Sequence, residues 1–202
     1  MKGIFFCALL FLLSCTNAQE QTVPTEGVVP IVESNVEKSK TPTNYIVLNS
    51  RTADQIEANY PYDIALLDAK GDTIGTDQIF ETGKPTVLLF WLTTCVPCAY
   101  EMTAIQEKYA DWQQEADFNF YAISTDFAKN FGSFQKRVTD KQFPWASYND
   151  VNREFRQIMP GGLNGLPQTF LLDASGEIVY HKRKYRSGDE DKLFAEILKL
   201  HQ

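Results

Sequence analysis

A buried strand that leads directly into a helix is the feature that most constrains this fold. Residues Thr86–Trp91 form an apolar run that follows the loop-forming segment Gly83–Pro85. A run of this kind predicts a strand that is covered on both faces, as in the middle of a parallel sheet. The next apolar side chains recur at steps of four, three, four and three, which predicts one face of a helix: Cys98, Met102, Ile105, Tyr109 and Trp112.

Two cysteines lie where this strand turns into the helix. The first turn of a helix has unpaired backbone N–H groups and a partial positive charge, so it favours a thiolate over a thiol. We predict that Cys95 lies at or just before the first helical residue, on the exposed side, and that Cys98 is shielded. Pro97 fits the first turn, because its missing N–H removes no helical hydrogen bond. The arrangement predicts thiol–disulfide exchange, in which Cys95 attacks a target disulfide and Cys98 resolves the mixed disulfide.

Two other interpretations of this Cys-Val-Pro-Cys motif compete with redox chemistry. The motif can be half of a zinc site, but a structural zinc site needs four ligands. The chain offers only His181 and His201 besides two N-terminal cysteines. The motif can also be an inert structural disulfide, but a bridge across so short a loop constrains the unfolded chain little. We therefore favour the redox interpretation and predict neither a bound metal nor a bound cofactor.

The N-terminus is predicted to be an export signal. Met1–Gly3 gives a short positive start, and Ile4–Leu13 is an apolar run. A bilayer span needs about 20 residues, whereas a shorter run suits the core of a signal peptide, here residues 1–14. The segment Leu12–Cys15 resembles the lipobox of bacterial lipoproteins, which implies that Cys15 is lipidated and becomes the first mature residue. The alternative is ordinary cleavage after Ala18, which leaves a soluble periplasmic protein.

Export would determine which of the four cysteines keep a free thiol. Cys7 leaves with the signal peptide and Cys15 carries the lipid, so Cys95 and Cys98 are the two that remain free. A mature exported protein with a single CxxC pair uses those thiols for redox chemistry.

Residues 15–44 are predicted to be a flexible tether between the lipidated cysteine and a folded domain at residues 45–202. The tether has no aromatic residue, contains three prolines, and is rich in Thr, Glu, Val and Ser. Such a composition buries too little surface to fold by itself. The alternative is that Val28–Val32 pairs as an edge strand.

The rest of the chain alternates short strands and helices. Phe118–Ile123 is predicted to be a second core strand, joined to the first by a right-handed βαβ crossover. A helix at Phe127–Gln142 is predicted to carry four apolar residues on the same side: Phe127, Phe131, Phe134 and Val138. The other predicted elements are a hairpin of Tyr62–Asp68 with Thr73–Thr76, a helical turn at Asp77–Phe80, a strand at Trp145–Tyr148, a short helix at Val151–Ile158, a loop at Met159–Gly165, a hairpin of Gln168–Asp173 with Glu177–Lys182, and a closing helix at Asp191–His201.

This order of elements resembles the thioredoxin fold, and more narrowly the extracytoplasmic TlpA/ResA-like thiol–disulfide oxidoreductases. The resemblance covers roughly residues 60–200 and is carried by four motifs: Phe90-Trp91, Cys95-Val96-Pro97-Cys98, Glu101, and Leu166–Asp173 with Ser175-Gly176-Glu177 after it. The strand and turn at Ala65–Gly71 also match. The resemblance implies an α/β fold with a central mixed sheet flanked by helices and an N-terminal β-hairpin extension.

The resemblance also implies roles for individual residues. Pro167 matches a cis-proline that faces the active-site disulfide and leaves the Leu166 backbone free for an extended substrate. We predict that the substrate also contacts Trp91, Val96 and Pro97.

Glu101 matches the acidic residue that this family places under its disulfide. It lies three residues past Cys98 on the same helix face, where it is able to exchange a proton during resolution. The alternative is an exposed acidic residue that simply suits the N-terminal half of a helix.

Some positions depart from thioredoxins proper. Leu89 stands where they carry a buried Asp, and Thr94 stands where they carry a Trp before the first cysteine. Glu101 is therefore the candidate for proton transfer to and from Cys98. The residues between the cysteines, Val96 and Pro97, hold no charge that strongly stabilises a thiolate, which favours a reductant over a strong oxidant.

The predicted function is a membrane-tethered disulfide reductase that faces the periplasm. Its expected partners are disulfide-containing exported proteins and a membrane or periplasmic thiol protein that donates electrons. The chain has 19 Lys plus Arg against 26 Asp plus Glu, and this acidic balance argues against a nucleic-acid partner. The alternatives are a disulfide oxidase or isomerase, a copper-binding or metal-delivery module, and a thiol peroxidase, which requires a Thr where Leu92 stands.

Overall fold

The computed structural model of the chain describes residues 59–202, which fold into a seven-stranded sheet with helices on both faces. The elements in chain order are β1 (Ala65–Leu67), β2 (Thr73–Gly75), α1 (Thr76–Ile79), β3 (Thr86–Trp91), α2 (Val96–Glu115), β4 (Asn119–Ser124), α3 (Phe131–Lys141), β5 (Ala146–Asn149), α4 (Phe155–Ile158), β6 (Gln168–Leu172), β7 (Ile178–Arg183) and α5 (Asp189–Lys199). Short 3-10 turns precede α3 at Ala128–Asn130 and follow α4 at Pro160–Leu163.

The sheet is mixed, with β3 close to its centre. The strand order is β2-β1-β5-β4-β3-β6-β7. β3 pairs in parallel with β4 on one side and antiparallel with β6 on the other. The parallel pair is joined through α2, so the predicted βαβ crossover is confirmed. The β1–β2 and β6–β7 hairpins are also confirmed, as is the α/β fold class with its N-terminal hairpin.

Alternate residues of β3 feed two hydrophobic clusters on opposite faces of the sheet, since successive side chains of a strand point to opposite sides. Val87, Leu89 and Trp91 join one cluster with the buried faces of α2, α3 and α5. Leu88 and Phe90 join the other, which also contains apolar side chains of α4 and of the segment before β3. Every residue of β3 is buried, as predicted from its unbroken apolar sequence.

The predicted helix that contains Phe134 is wrong at its N-terminal end. The helix begins at Phe131 and not at Phe127, because Phe127 has an extended backbone and leads into the 3-10 turn. Phe134 is fully buried, whereas Phe127 is 50% exposed and lies under the guanidinium of Arg153, with Cζ 4.6 Å from the ring centroid. The two phenylalanines therefore do not share a face.

The predicted signal peptide, the lipidated Cys15, the tether, the alternative strand Val28–Val32 and the boundary at residues 44 and 45 all lie outside the described residues. Within residues 59–202, no helix combines the length and the apolar character needed to cross a bilayer.

The different environments of Phe134 and Phe127 lead to a stability prediction. Phe134→Ala should lower the free energy of unfolding by about 3–5 kcal/mol, because it leaves a cavity in the core. Phe127→Ala should cost less than about 1 kcal/mol, because only an exposed cation–π contact is lost. Urea denaturation of both variants measures the difference. Equal losses would mean that both rings belong to the core after all.

Candidate active site

The two cysteines form a disulfide at the N-terminus of α2. The Sγ atoms of Cys95 and Cys98 are 2.06 Å apart, and the Cα atoms 5.3 Å. Cys95 is the N-cap residue and half-buried, and its Sγ accepts a hydrogen bond from the Cys98 backbone N–H at 3.3 Å. Cys98 is completely buried. A sulfur atom held at the N-terminus of a 20-residue helix lies in the positive end of the helix dipole, which stabilises a thiolate.

The predicted substrate-contacting residues differ in accessibility. Val96 is 61% exposed, and Pro97 is also exposed. Trp91 is 1% exposed and packs against Phe134 and Phe143, so its indole is not on the surface that a substrate reaches. The sequence prediction for Trp91 was wrong for a physical reason: it is the last residue of the fully buried β3, and its side chain completes the core under α2.

A buried carboxyl group holds the loop between β3 and α2. Asp126 accepts hydrogen bonds from the Thr93 backbone N–H at 2.8 Å, from the Thr93 hydroxyl at 2.9 Å, and from the Ser124 hydroxyl at 2.7 Å. The Arg137 guanidinium donates to the Thr93 carbonyl at 3.1 Å. The sequence interpretation missed Asp126, although its position carried a signal. In the parallel register Trp91 pairs with Ser124. Thr93 and Asp126 each lie two positions further along the chain, so they meet at the same edge of the sheet.

The Leu166–Pro167 peptide bond is cis, and β6 begins directly after it. Because Phe90 pairs with Gln168 in the antiparallel register, the residues just before β6, Leu166 and Pro167, lie at the end of β3. The Pro167 carbonyl accepts a hydrogen bond from the Lys184 backbone N–H at 2.8 Å. The Leu166 backbone forms no hydrogen bond with any other described residue, and its side chain is half-buried.

Glu101 is buried on the same face of α2 as Cys98, with 4% of its surface exposed. The Thr169 hydroxyl donates to its Oε1 at 2.8 Å, while Oε2 is buried and has no hydrogen-bond partner among the described residues. Burial raises the pKa of Glu101 from 4.5 to about 7, and the hydrogen bond from Thr169 offsets only part of this effect. The alternative of an exposed acidic residue is therefore wrong.

Neither histidine is placed near the cysteines as a third ligand. The ring of His181 stacks on Phe170, and its Nε2 lies 2.8 Å from the Gln168 Oε1. The ring nitrogens of His201 lie 3.0 Å from the carbonyl oxygens of Ile197 and Asp117. Within residues 59–202, no group of three or more His, Cys, Asp or Glu side chains is arranged to hold a metal ion.

The raised pKa of Glu101 predicts a pH-dependent stability. The folded protein retains a proton that the unfolded chain loses above about pH 4.5, so stability falls as the pH rises through about 7. Glu101→Gln should remove this loss and exceed the wild-type protein at pH 8 by up to about 3 kcal/mol. At pH 4 the two proteins should be nearly equal. Urea denaturation of the oxidised proteins at both pH values measures the difference.

The control for this comparison is Glu107→Gln, which changes an exposed glutamate on the same helix. Its stability should follow the wild-type pH dependence. If the Glu101→Gln curve also runs parallel to the wild-type curve, Glu101 does not hold its proton in the folded state.

Comparison with known proteins places this site in a family. The sequence model of the AhpC/TSA family matches residues 56–181. The thiol–disulfide oxidoreductase ResA of Geobacillus thermodenitrificans is 31% identical over 97 residues, which is 48% of this chain and 52% of that protein. The match thus spans about half the length of that curated relative. ResA of Halalkalibacterium halodurans is 25% identical over 138 residues, covering 67% of this chain and 71% of that protein.

Solved structures of other proteins share this fold. A thioredoxin-like protein from Porphyromonas gingivalis is 30% identical and superposes with a TM-score of 0.60, covering 71% of this chain and 93% of that one. StoA from Bacillus subtilis shares the fold at 19% identity and a TM-score of 0.51, covering 68% of this chain and 98% of that one. By its sequence and its fold, this chain belongs to the AhpC/TSA family of thioredoxin-like proteins.

Proposed function

We propose that this protein is an extracytoplasmic thiol–disulfide oxidoreductase that acts as a disulfide reductase on exported proteins. One observation carries the proposal: Cys95 caps α2 and is only half-buried, and it is bonded to Cys98, which is completely buried. A partly exposed cysteine and a shielded cysteine in one disulfide are the arrangement that a two-step exchange requires, since one thiol attacks and the other resolves. The names of the ResA relatives support the same chemistry.

The reduced protein would act in two displacements. The Cys95 thiolate attacks one sulfur of a substrate disulfide, forms a mixed disulfide, and releases the other substrate sulfur as a thiolate that takes up a proton. The Cys98 thiolate then attacks the Cys95 sulfur, re-forms the protein disulfide, and releases the second substrate sulfur. The substrate gains two electrons and two protons, and the protein loses the same number. A thiol protein must then reduce the Cys95–Cys98 disulfide for the next cycle.

Glu101 is proposed to accept the proton of Cys98 before the second displacement. It lies three residues from Cys98 on the same buried helix face, where side chains are neighbours. A carboxyl group with a pKa of about 7 exchanges protons efficiently near neutral pH, because its two protonation states are then similarly populated.

The substrate is proposed to bind as an extended segment along Leu166 and cis-Pro167. The backbone groups of Leu166, which bond to no other residue within 59–202, are available for hydrogen bonds with such a segment, as when a peptide strand adds to a sheet. Val96 and Pro97 are exposed beside Cys95 and supply apolar contact on the other side. The substrate surface of this proposal therefore consists of backbone and exposed side chains and does not include Trp91.

The proposed location is the periplasmic side of a bacterial membrane, with the protein anchored through a lipid on Cys15. The support is the sequence of the first 15 residues, in which an apolar run ends at a cysteine. The proposed partners are exported proteins that contain disulfides and a membrane or periplasmic thiol protein that supplies electrons. A soluble periplasmic form, cleaved after Ala18, is the alternative.

The reductase direction is supported by the residues between the cysteines. Val96 and Pro97 carry no charge and no imidazole, so the helix N-terminus and the Cys98 N–H are the main groups that stabilise a Cys95 thiolate. A thiolate that is only moderately stabilised gives a more reducing couple. An oxidase or isomerase would use the same two displacements at a higher potential.

An equilibrium redox titration tests the proposal. The protein is equilibrated in dithiol–disulfide buffers, its free thiols are trapped by alkylation, and the reduced fraction is measured. We expect one two-electron transition at or below about −250 mV. A transition between about −120 and −180 mV would instead indicate an oxidase or isomerase. If Cys95 and Cys98 do not titrate as a pair, the protein is not a dithiol oxidoreductase.

The proton-transfer role of Glu101 predicts a change in a single kinetic step. A mixed disulfide between Cys95 and an aromatic thiol reports the attack of Cys98 through the released chromophore. In the wild-type protein this rate should rise with pH through about 7, as Glu101 becomes ionised. Glu101→Gln should slow the step about 100-fold near neutral pH, since general-base catalysis typically contributes 10²–10⁴-fold.

The matched control for this kinetic test is again the exposed Glu107→Gln, which should keep the wild-type rate and pH profile. A Glu101→Gln protein with an unchanged rate and profile would assign the proton of Cys98 to another acceptor.

A further inference from the structure

A group of charged side chains from β7 and α5 lies near Glu101. It is formed by Lys182 at the end of β7 and by Asp189 and Lys192 at the start of α5. These residues belong to none of the steps described so far. Two of them, Lys182 and Asp189, nevertheless act electrostatically on the buried carboxyl group on which the second displacement is proposed to depend.

The register of the β6–β7 hairpin places Lys182 next to Glu101. Thr169 and Lys182 are directly opposite each other in the antiparallel pair. Opposite residues have their side chains on the same face of a sheet, with Cβ atoms about 4.5–5.5 Å apart. The hydroxyl of that same Thr169 donates the 2.8 Å hydrogen bond to Glu101. The Thr169 side chain therefore links the position of Lys182 to the carboxyl group of Glu101.

Lys182 is held in this position by a buried ion pair. Its Nζ lies 2.9 Å from Oδ2 of Asp189, whose side chain is only 2% exposed. The other oxygen of Asp189 lies 2.8 Å from Nζ of Lys192. Burial alone raises the pKa of Asp189, but the two lysines and a hydrogen bond from the Arg186 backbone N–H lower it overall to about 2. The two lysines differ in environment, because the side chain of Lys182 is 31% exposed and that of Lys192 is 70% exposed.

Charged and titratable groups approach Glu101 from each element packed around it. They are Cys98 on α2, Tyr180 and Lys182 on β7, Tyr185 in the following loop, and Asp189 and Glu190 on α5. Lys182 is the cation among these groups, and its charge favours the ionised form of Glu101. Asp189 and Glu190 oppose it. Glu190 in turn bonds to Tyr185 and to Lys108, which is turned toward the surface of α2.

We propose that Lys182, held by Asp189, is the positioning residue that sets the proton affinity of Glu101 and thereby the pH at which Cys98 is activated. Without this cation, burial and the two acidic neighbours would raise the proton affinity of Glu101 further, so that a smaller fraction of Glu101 would be ionised at neutral pH and able to accept the proton of Cys98. The proposal rests on the proposed function for its catalytic consequence. The effect on the carboxyl group is independent of any substrate.

The test follows the carboxyl group itself by ¹³C NMR. The side-chain carboxyl resonance of Glu101, assigned by its absence in Glu101→Gln, is titrated in the full oxidised protein and in Lys182→Met. The variant should raise the titration midpoint, because it removes the cation whose charge favours the ionised form of Glu101. The pH profile of the Cys98 attack should move upward by the same amount.

Two variants distinguish this effect from a general loss of structure or charge. Lys192→Met removes the exposed partner of the same aspartate and should leave the Glu101 midpoint nearly unchanged. Lys182→Arg keeps the cation and should restore the wild-type midpoint and profile. The proposal is overturned if Lys182→Met leaves the midpoint in place, or if both methionine variants move it equally.

The outcomes also separate this proposal from the proposed function. A wild-type protein with a normal dithiol transition, but with a Glu101 midpoint insensitive to Lys182→Met, overturns the role of Lys182 alone. A protein whose cysteines do not titrate as a pair overturns the oxidoreductase. The carboxyl titration then still decides whether Lys182 sets the proton affinity of Glu101.

Discussion

The pairing of β3 on both of its edges is the constraint on which the rest of the structure depends. Six residues of β3 pair in parallel with β4, and five pair antiparallel with β6. Because both faces of β3 are also buried, a shift of one residue would exchange its two hydrophobic sets and is strongly disfavoured. The fixed end of β3 determines where Cys95 begins α2, while the two registers bring Asp126 from β4 and Pro167 from β6 to the same edge. The site is thus assembled by strand register.

Two buried carboxyl groups near the disulfide have different environments, and the difference matches different roles. Asp126 accepts three hydrogen bonds, two of them from Thr93, so its desolvation is largely offset and it fixes the loop that precedes Cys95. Glu101 accepts one hydrogen bond, and its other oxygen has no partner among residues 59–202. A carboxyl group that is buried but poorly satisfied gains and loses its proton near neutral pH. One group therefore serves structure, while the other is suited to proton exchange.

The sequence predicted the parts of the molecule that local patterns determine. The apolar run of β3, the helical spacing after Cys98 and the turn residues around Gly176 were sufficient to predict the core strand, α2 and the last hairpin. The errors arose where tertiary packing decides. An amphipathic pattern could not show that Phe127 lies before the helix, nor that Trp91 faces the core. The polar contacts of the site were missed because Asp126, Thr169 and Lys182 reach it through register, which a single sequence reveals only after the strand order is known.

Proton exchange at this site is coupled to stability through burial. Glu101 has a high pKa because α2 packs it against the sheet beside Met102 and Ile105, in the same cluster that holds the core together. Additional hydrogen bonds would lower the free-energy cost of burying the ionised carboxylate. They would also lower its pKa and weaken it as a base at neutral pH. A nearby cation such as Lys182 lowers the proton affinity of Glu101 without a direct hydrogen bond to its carboxyl group. The burial of Glu101 and the charge on β7 thus act in opposite directions on one carboxyl group, and their balance allows a stable core to contain a group that exchanges its proton.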